Sequence, residues 1–456
     1  MEYRKLNPSL PQTTALLRDA RIRSLRGRRI WDSRGRPTIE AEVELEDGSV
    51  GLGQAPAGAS TGSREARELR DGGDRLGGLD VSQAIERIDR VLKPRLIGRV
   101  AARQSEIDAE LIAADPSPEK GQLGGNTTLA VSLACARAAA AARGLPLFEH
   151  LAELAQRPAG QAWTLPLPQI QIFGGGAHAA RRIDIQDLMI TCPAAASAAQ
   201  ALEWTARVYA AAGELMRDRG SRQGVADEGG WWPAFDRNED ALDALVQSIE
   251  RAGLRPGAEV WIALDIAATQ LATAGGYRLG LEARLLDRTA MIEMLSGWCQ
   301  RYPILSIEDP LSEDDTEGFA AITKELGGRM QVVGDDYLVT DASRIALAAT
   351  AGAANTVLLK PNQRGTISET WAAWQQARAS SYQGIVSARS GETEDQSIVH
   401  LAIGWDVGQL KVGSFARGER TVKWNELLRL EDRLGSKARF AGWSGLAARR
   451  SSNPAV

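Results

Sequence analysis

"PILSIEDPLSEDDTEGFAAITKELGGRMQVVGDD", residues 303–336, holds one full repeat of the chain's dominant rhythm. A short β-branched run ends at Glu308, "GFAAITKEL" follows with helical apolar spacing, and a second run ends at Asp335. Strand–helix–strand steps of this kind build parallel sheets with helices outside. Working outward, similar runs are "EVWIALD", "TVLLK", "GIVSARS" and "GQLKVGS", with helical segments such as "ASRIALAATAG" and "ISETWAAWQQARA" between them. The six runs end in Asp265, Glu308, Asp335, Lys360, Arg389 with Ser390, and Lys411, at separations of 43, 27, 25, 29 and 22 residues. Most of these separations fit one strand plus one helix. The pattern predicts an α/β barrel of parallel strands, whose C-terminal strand ends gather at one mouth.

A polar residue at one strand end needs no function, because strands meet water there. Six in a row, three carboxylates first and then lysine, arginine and lysine, suggest chemistry. Carboxylates from separate strands suit a hard divalent cation such as Mg²⁺. A lysine facing such a cation has its neutral form favoured, which makes it a candidate base.

Before the barrel, "PTIEAEVELEDGSVGLGQAP" alternates around Asp47-Gly48 and predicts a β-hairpin. "SQAIERIDRVLKPRLIG" and "TTLAVSLACARAAAAARG" carry helical spacing, so this part is an α+β unit. The expected division is an extension over 1–20, an α+β domain over 21–160, the catalytic barrel over 161–440 and a tail over 441–456. With 58 acidic and 54 basic residues the net charge is only −4, and no basic block suggests nucleic acid as a partner. Cys135, Cys192 and Cys299 match no metal spacing and suit a reducing cytoplasm. No apolar run approaches a membrane span, and the first residues show no signal-like apolar stretch. A cytoplasmic protein without membrane contact is expected.

"DSRGRPTIEAEVELEDGS", "GASTGSREA", "DEGG", "SIEDPLSEDD", "GDDYLVT", "KPNQRGTISET", "RSGETED" and "GQLKVGS" resemble the enolase family, in order and spacing, from about Arg29 to Glu431. The resemblance implies a modified (β/α)8 TIM barrel capped by the N-terminal α+β domain, and usually a homodimer formed through the smaller domain. It implies two Mg²⁺ ions. Asp265, Glu308 and Asp335 match the ligands of the tighter ion, and Ser60 in the mobile loop "AGAST" matches the ligand of the second, substrate-dependent one. Gly58 and Ala59 of that loop, with Lys411, Arg389 and Ser390, match groups that hold a small anionic, phosphorus-containing substrate. Lys360 matches the base, Glu228 the acid that assists hydroxide departure, and His178 a residue of the catalytic loop that serves both catalysis and binding. The implied reaction removes the proton α to a carboxylate of 2-phosphoglycerate and loses water to give phosphoenolpyruvate, or the reverse. Divalent ions acting as Lewis acids suit the dianion so formed, and a carboxyl group near other acids can stay protonated to supply the leaving hydroxide.

The chain departs from the family at particular places. Ala388 stands where a histidine normally precedes Arg-Ser-Gly, Gly174 replaces an asparagine, and Asp187 replaces a glutamate near the leaving hydroxyl. One missing methylene leaves the Asp187 carboxylate short by roughly 1.5 Å, a shift that can cost about a hundredfold in rate. Arg181 and Arg182 stand where small or uncharged residues are usual, and Pro361 and Arg364 alter the segment after Lys360. The three arginines would either admit a larger or more highly charged substrate or pair with local acids such as Asp184 and Glu369. Trp231 and Trp232 read as loop packing rather than a stacking surface. Three functions therefore stand: an ordinary enolase-type lyase, a specialised paralogue acting on a phosphonate or phosphinate in natural-product biosynthesis, similar to carboxyphosphonoenolpyruvate synthase, and a non-catalytic binding protein that keeps the fold.

Overall fold

The structure, a computed structural model, describes residues 20–446. Residues 1–19 of the expected extension and 447–456 of the expected tail lie outside the described residues. Strands β1 (Ile22–Trp31), β2 (Pro37–Leu45) and β3 (Val50–Gln54) form an antiparallel sheet in that order. The predicted hairpin joins β2 to β3. Gly48 takes the left-handed turn position at φ 85°, and the Ser49 amide donates to Asp47 Oδ1 at 2.9 Å. Helix α1 (Gly125–Ala142) lies across the sheet, buried along nearly its whole length. Its alanines and the glycines of β3 are two halves of one contact: a Cβ on Gly51 would stand 2.1 Å from the Ala134 carbonyl oxygen. A side chain there would push the helix off the sheet.

Eight strands then close a barrel in chain order: β4 (Leu167–Gly174), β5 (Asp187–Thr191), β6 (Trp261–Asp265), β7 (Ile304–Glu308), β8 (Gln331–Gly334), β9 (Thr356–Leu359), β10 (Gln383–Ser387) and β11 (Gln409–Ser414). β6 through β11 and back to β4 pair in parallel. β5 does not: it runs antiparallel to both neighbours, which corrects the expectation of an all-parallel barrel. The β4–β5 link holds a single 3-10 turn, Gly176–Ala179, and no helix returns the chain to the far end. The reversal places the first residue of β5, rather than its last, at the mouth. Asp187 thus pairs with Asp265 across β5 and β6, and Asp265 with Glu308 across β6 and β7.

The segment expected as a tail is packed as far as it is described. Ala441 and Leu446 are buried with Leu167 and Leu305 at the barrel end opposite the mouth, so the folded barrel domain continues past residue 440 to Leu446. All three cysteines are free thiols, and burial pushes each above its ordinary pKa. Among the described residues no single helix is long and apolar enough to cross a membrane.

Candidate functional site

The strand ends meet as the strand pattern requires. Lys411 Nζ lies 2.8 Å from Glu308 Oε2, 3.1 Å from Asp265 Oδ2 and 3.2 Å from Asp187 Oδ2, so one ammonium group touches carboxylates from three consecutive strands. Lys360 Nζ pairs with Asp335 Oδ2. Two amides complete the set: Gln186 donates to Asp265 Oδ2 at 3.1 Å and Gln363 to Asp335 Oδ1 at 2.8 Å. All of these side chains are buried.

Charge in this cluster is out of balance. Asp187, Glu228, Asp265, Glu308, Asp309, Asp335 and Asp336 are buried together, against the ammonium groups of Lys360 and Lys411. Burial, reinforced by the Asp265 charge, pushes the Glu308 carboxyl well above its ordinary range. Burial does the same to Asp309 and Asp336, with added repulsion from the neighbouring acids. Asp335 moves the other way: burial opposes ionisation, but Lys360 outweighs it. Both lysines stay above their usual value despite burial, Lys360 through Asp335 and Lys411 through Asp265 and Glu308.

This donor set fits a divalent cation. The donors are hard oxygens, they carry excess negative charge, and Glu308 Oε1 is buried with no hydrogen-bond partner among the described residues. Oxygens of Asp309, Asp335 and Asp336 come within 4.8 Å of one another. Asp309 is nevertheless a brace rather than a ligand, because its two oxygens accept the backbone N–H groups of Asp335 at 2.9 Å and Asp336 at 2.7 Å.

A second group forms on the other side of the mouth. His178 Nε2 lies 3.7 Å from both Asp187 Oδ1 and Glu228 Oε1, and its Nδ1 is buried without a partner among the described residues. Gln171 on β4 fixes this group: its Nε2 donates to Asp187 Oδ1 at 2.5 Å, and its Oε1 accepts the Gly230 amide at 2.9 Å. The same amide explains Gly174, since a Cβ there would lie 2.7 Å from Ala226 Cβ and 3.0 Å from Gln171 Oε1. The volume that an asparagine side chain would need is already filled.

Arg389 spans the barrel and the capping domain. It pairs with Glu65 Oε2 at 2.7 Å and donates to the Ser60 carbonyl at 2.8 Å, which seats the "AGAST" loop over the mouth. Gly58 lies behind this contact, where a Cβ would come within 2.1 Å of Arg389 Nη2. Ala59, Ser60, His178, Asp187, Glu228, Asp265, Lys360, Arg389, Ser390 and Lys411, all singled out from the sequence, line one pocket together with Ala388. Glu308 and Asp335 sit just behind it under the two lysines, and Gly58 supports Arg389 from outside.

The arginines divide. Arg364 is paired away with Asp341 at 2.8 Å and Glu369 at 3.8 Å, and Arg182 lies 3.7 Å from exposed Asp236. Asp184 takes none of them, because it accepts from Asn238 Nδ2 and the amides of Gly280 and Leu281. Trp231 stacks on Tyr209 at 4.9 Å and donates to its carbonyl, which is loop packing. Sequence reasoning missed Gln171, Gln186 and Glu65. For the two glutamines the available signal was an amide inside an otherwise apolar strand or at its edge. Residues 22–151 match the family model described as enolase, N-terminal domain, and residues 162–449 match that described as enolase, C-terminal TIM barrel domain.

Proposed function

The chain belongs to the enolase family, and from that premise we propose that it is a Mg²⁺-dependent carbon–oxygen lyase interconverting 2-phosphoglycerate and phosphoenolpyruvate. The observation that carries this reading is Lys411 touching Asp187, Asp265 and Glu308 in the same mouth where Lys360 meets Asp335. Asp265, Glu308 and Asp335 would hold one ion, and Ser60 would join a second when substrate is present. Mg²⁺ bound there supplies Lewis acidity to the substrate carboxylate.

The side chains divide the remaining work. Lys360 takes the proton from the carbon α to the carboxylate. To do so it must first lose its own proton, which Asp335 otherwise holds on it. Lys411 keeps its charge and pairs with the substrate carboxylate. Glu228 gives a proton to the departing hydroxide, which leaves as water, and the α proton stays on Lys360 until the two side chains regain their starting protonation by exchange with solvent. Asp187 and His178 hold the hydroxyl in line, while Arg389 and Ser390 hold the phosphate. Closure of the loop at Ser60 excludes bulk water. A cytoplasmic homodimer joined through the smaller domain accompanies this reading, and sedimentation velocity tests the dimer. For the activity, purified protein with Mg²⁺ and 2-phosphoglycerate should generate the ultraviolet absorbance of phosphoenolpyruvate. No turnover with Mg²⁺ shown to be bound by calorimetry rejects the lyase. Failure to bind Mg²⁺ at all favours a non-catalytic binding protein.

A second reading has its own observation. Ala388 lines the mouth directly and Asp187 is pinned by Gln171, so the phosphate side and the hydroxyl side are both altered while the cation side is intact. This favours a phosphonate or phosphinate relative of the same skeleton as substrate. Asp187→Glu and Ala388→His should then raise turnover of 2-phosphoglycerate, by up to about a hundredfold together. Unchanged turnover in both removes the support for this reading.

A further inference from the structure

Next to the mouth lies a second cavity of about 310 Å³, large enough for a small organic ligand. The wall between the two is a pair of amides: Gln270 Nε2 donates to Gln186 Oε1 at 2.7 Å, and Gln186 lines both spaces. The floor is apolar, built from Ile266, Ala267 and Leu271 just past the Asp265 strand end. Arg181 and Arg278 also line it. Neither guanidinium has an ion pair or a hydrogen bond among the described residues, and both side chains belong to exposed residues. The one carboxylate among the described lining residues, Asp184, accepts from two backbone amides and Asn238 and makes no ion pair with either arginine, so the lining carries one positive charge in excess. Two unpaired guanidinium groups, against a single carboxylate held by amides, stand over an apolar floor and offer bidentate donors to an anion.

We propose that this cavity is a second anion subsite, receiving the far carboxylate or phosphonate of a substrate whose acidic α carbon sits in the mouth. The substrate class is then a dianion or higher, with a short apolar linker between its two charged ends. Gln186 and Gln270 mark the crossing point: Gln186 already donates to Asp265 Oδ2, so a ligand that reaches past it is sensed by a side chain holding a cation-site carboxylate. The subsite rests on the lyase reading only for which end of the ligand lies in the mouth.

The test uses the full chain with Mg²⁺ and two probes in calorimetry: phosphonoacetate, which spans the mouth alone, and 4-phosphonobutyrate, which is longer by two methylenes. The intact protein should bind the longer probe at least about tenfold more tightly, and Arg181→Gln with Arg278→Gln should abolish that preference. The melting midpoint of the double variant should stay at that of the parent, because neither arginine is paired. Equal affinity for the two probes in the parent, or a preference that survives the double substitution, overturns the subsite. A length preference in the parent that the double substitution abolishes, without phosphoenolpyruvate formation by the parent, supports the subsite while refuting the lyase.

Discussion

Replacing Lys411 by methionine keeps the aliphatic stem and removes the ammonium group that lies within 3.2 Å of Asp187, Asp265 and Glu308. Breaking a buried ion pair from one side costs about 3–5 kcal/mol, because the partner charge is left without compensation. Here part of that cost is recovered by protonation, since Glu308 already binds its proton more tightly than an ordinary carboxyl. A loss of about 3 kcal/mol follows. Over a chain of this length the unfolding entropy is on the order of 0.9 kcal/mol/K, so the thermal midpoint should fall by about 3 °C without metal. Mg²⁺ should close much of that gap, stabilising the variant more than the parent, because in the variant no ammonium group competes for the carboxylates. Differential scanning calorimetry of both proteins, with EDTA and with Mg²⁺, makes the comparison. A variant as stable as its parent in EDTA, or one that gains no more from Mg²⁺, refutes the charge balance argued for the mouth.

Other consequences follow from single contacts. Gln171→Leu strands the Gly230 amide and releases Asp187, so turnover should drop about ten- to a hundredfold with little change in KM, read by steady-state kinetics. Gly58→Ala drives a methyl group into the Arg389 guanidinium and should raise KM at least about tenfold while Mg²⁺ binding, measured by calorimetry, is retained. His150 is held neutral by burial and by Arg143, with its pKa lowered to about 4. The unfolded chain takes up that proton at higher pH, so the stability His150 contributes is full above about pH 6.5 and declines as the pH falls towards 4, by about 3 kcal/mol. Urea titrations across this range should show a shallower decline for His150→Phe than for the parent.

Much of this site was legible because strand ends are. A β-branched run that stops at a charged residue says both where the strand ends and which face it serves: Asp265 and Glu308 close their strands, Asp335 and Lys360 follow theirs directly and Arg389 by two residues, whereas Lys411, expected at a strand end, is the third residue of a strand that runs on to Ser414. Asp187 breaks the pattern, because it begins its strand; only the antiparallel register brings it opposite Asp265. Strand direction depends on where the preceding link lets the chain return, and residue periodicity carries no sign for it. Gln171 and Gln186 are visible as amides in or beside apolar strands, but their role is not, because an amide gains meaning only from what it bonds, and their partners Asp187 and Asp265 lie 16 and 79 residues away. For Arg364, four residues beyond Lys360, the sequence allows either a substrate contact or a pair with a local acid such as Glu369, and the 3-10 turn Pro361–Gln363 turns it to the second, onto Asp341 and Glu369.

In the proposed reaction, acids on β6, β7 and the end of β8 would hold a cation against which Lys360 removes a carbon-bound proton. The most direct measurement is proton magnetic resonance of 2-phosphoglycerate in D2O with Mg²⁺, following exchange of the hydrogen on the α carbon. Exchange should be catalysed by the parent and not by Lys360→Ala, whose Mg²⁺ binding by calorimetry should be at least as tight as the parent's because Asp335 has lost its ammonium partner. Exchange that persists in Lys360→Ala, or that is absent from the Mg²⁺-loaded parent, would contradict the proposed reaction.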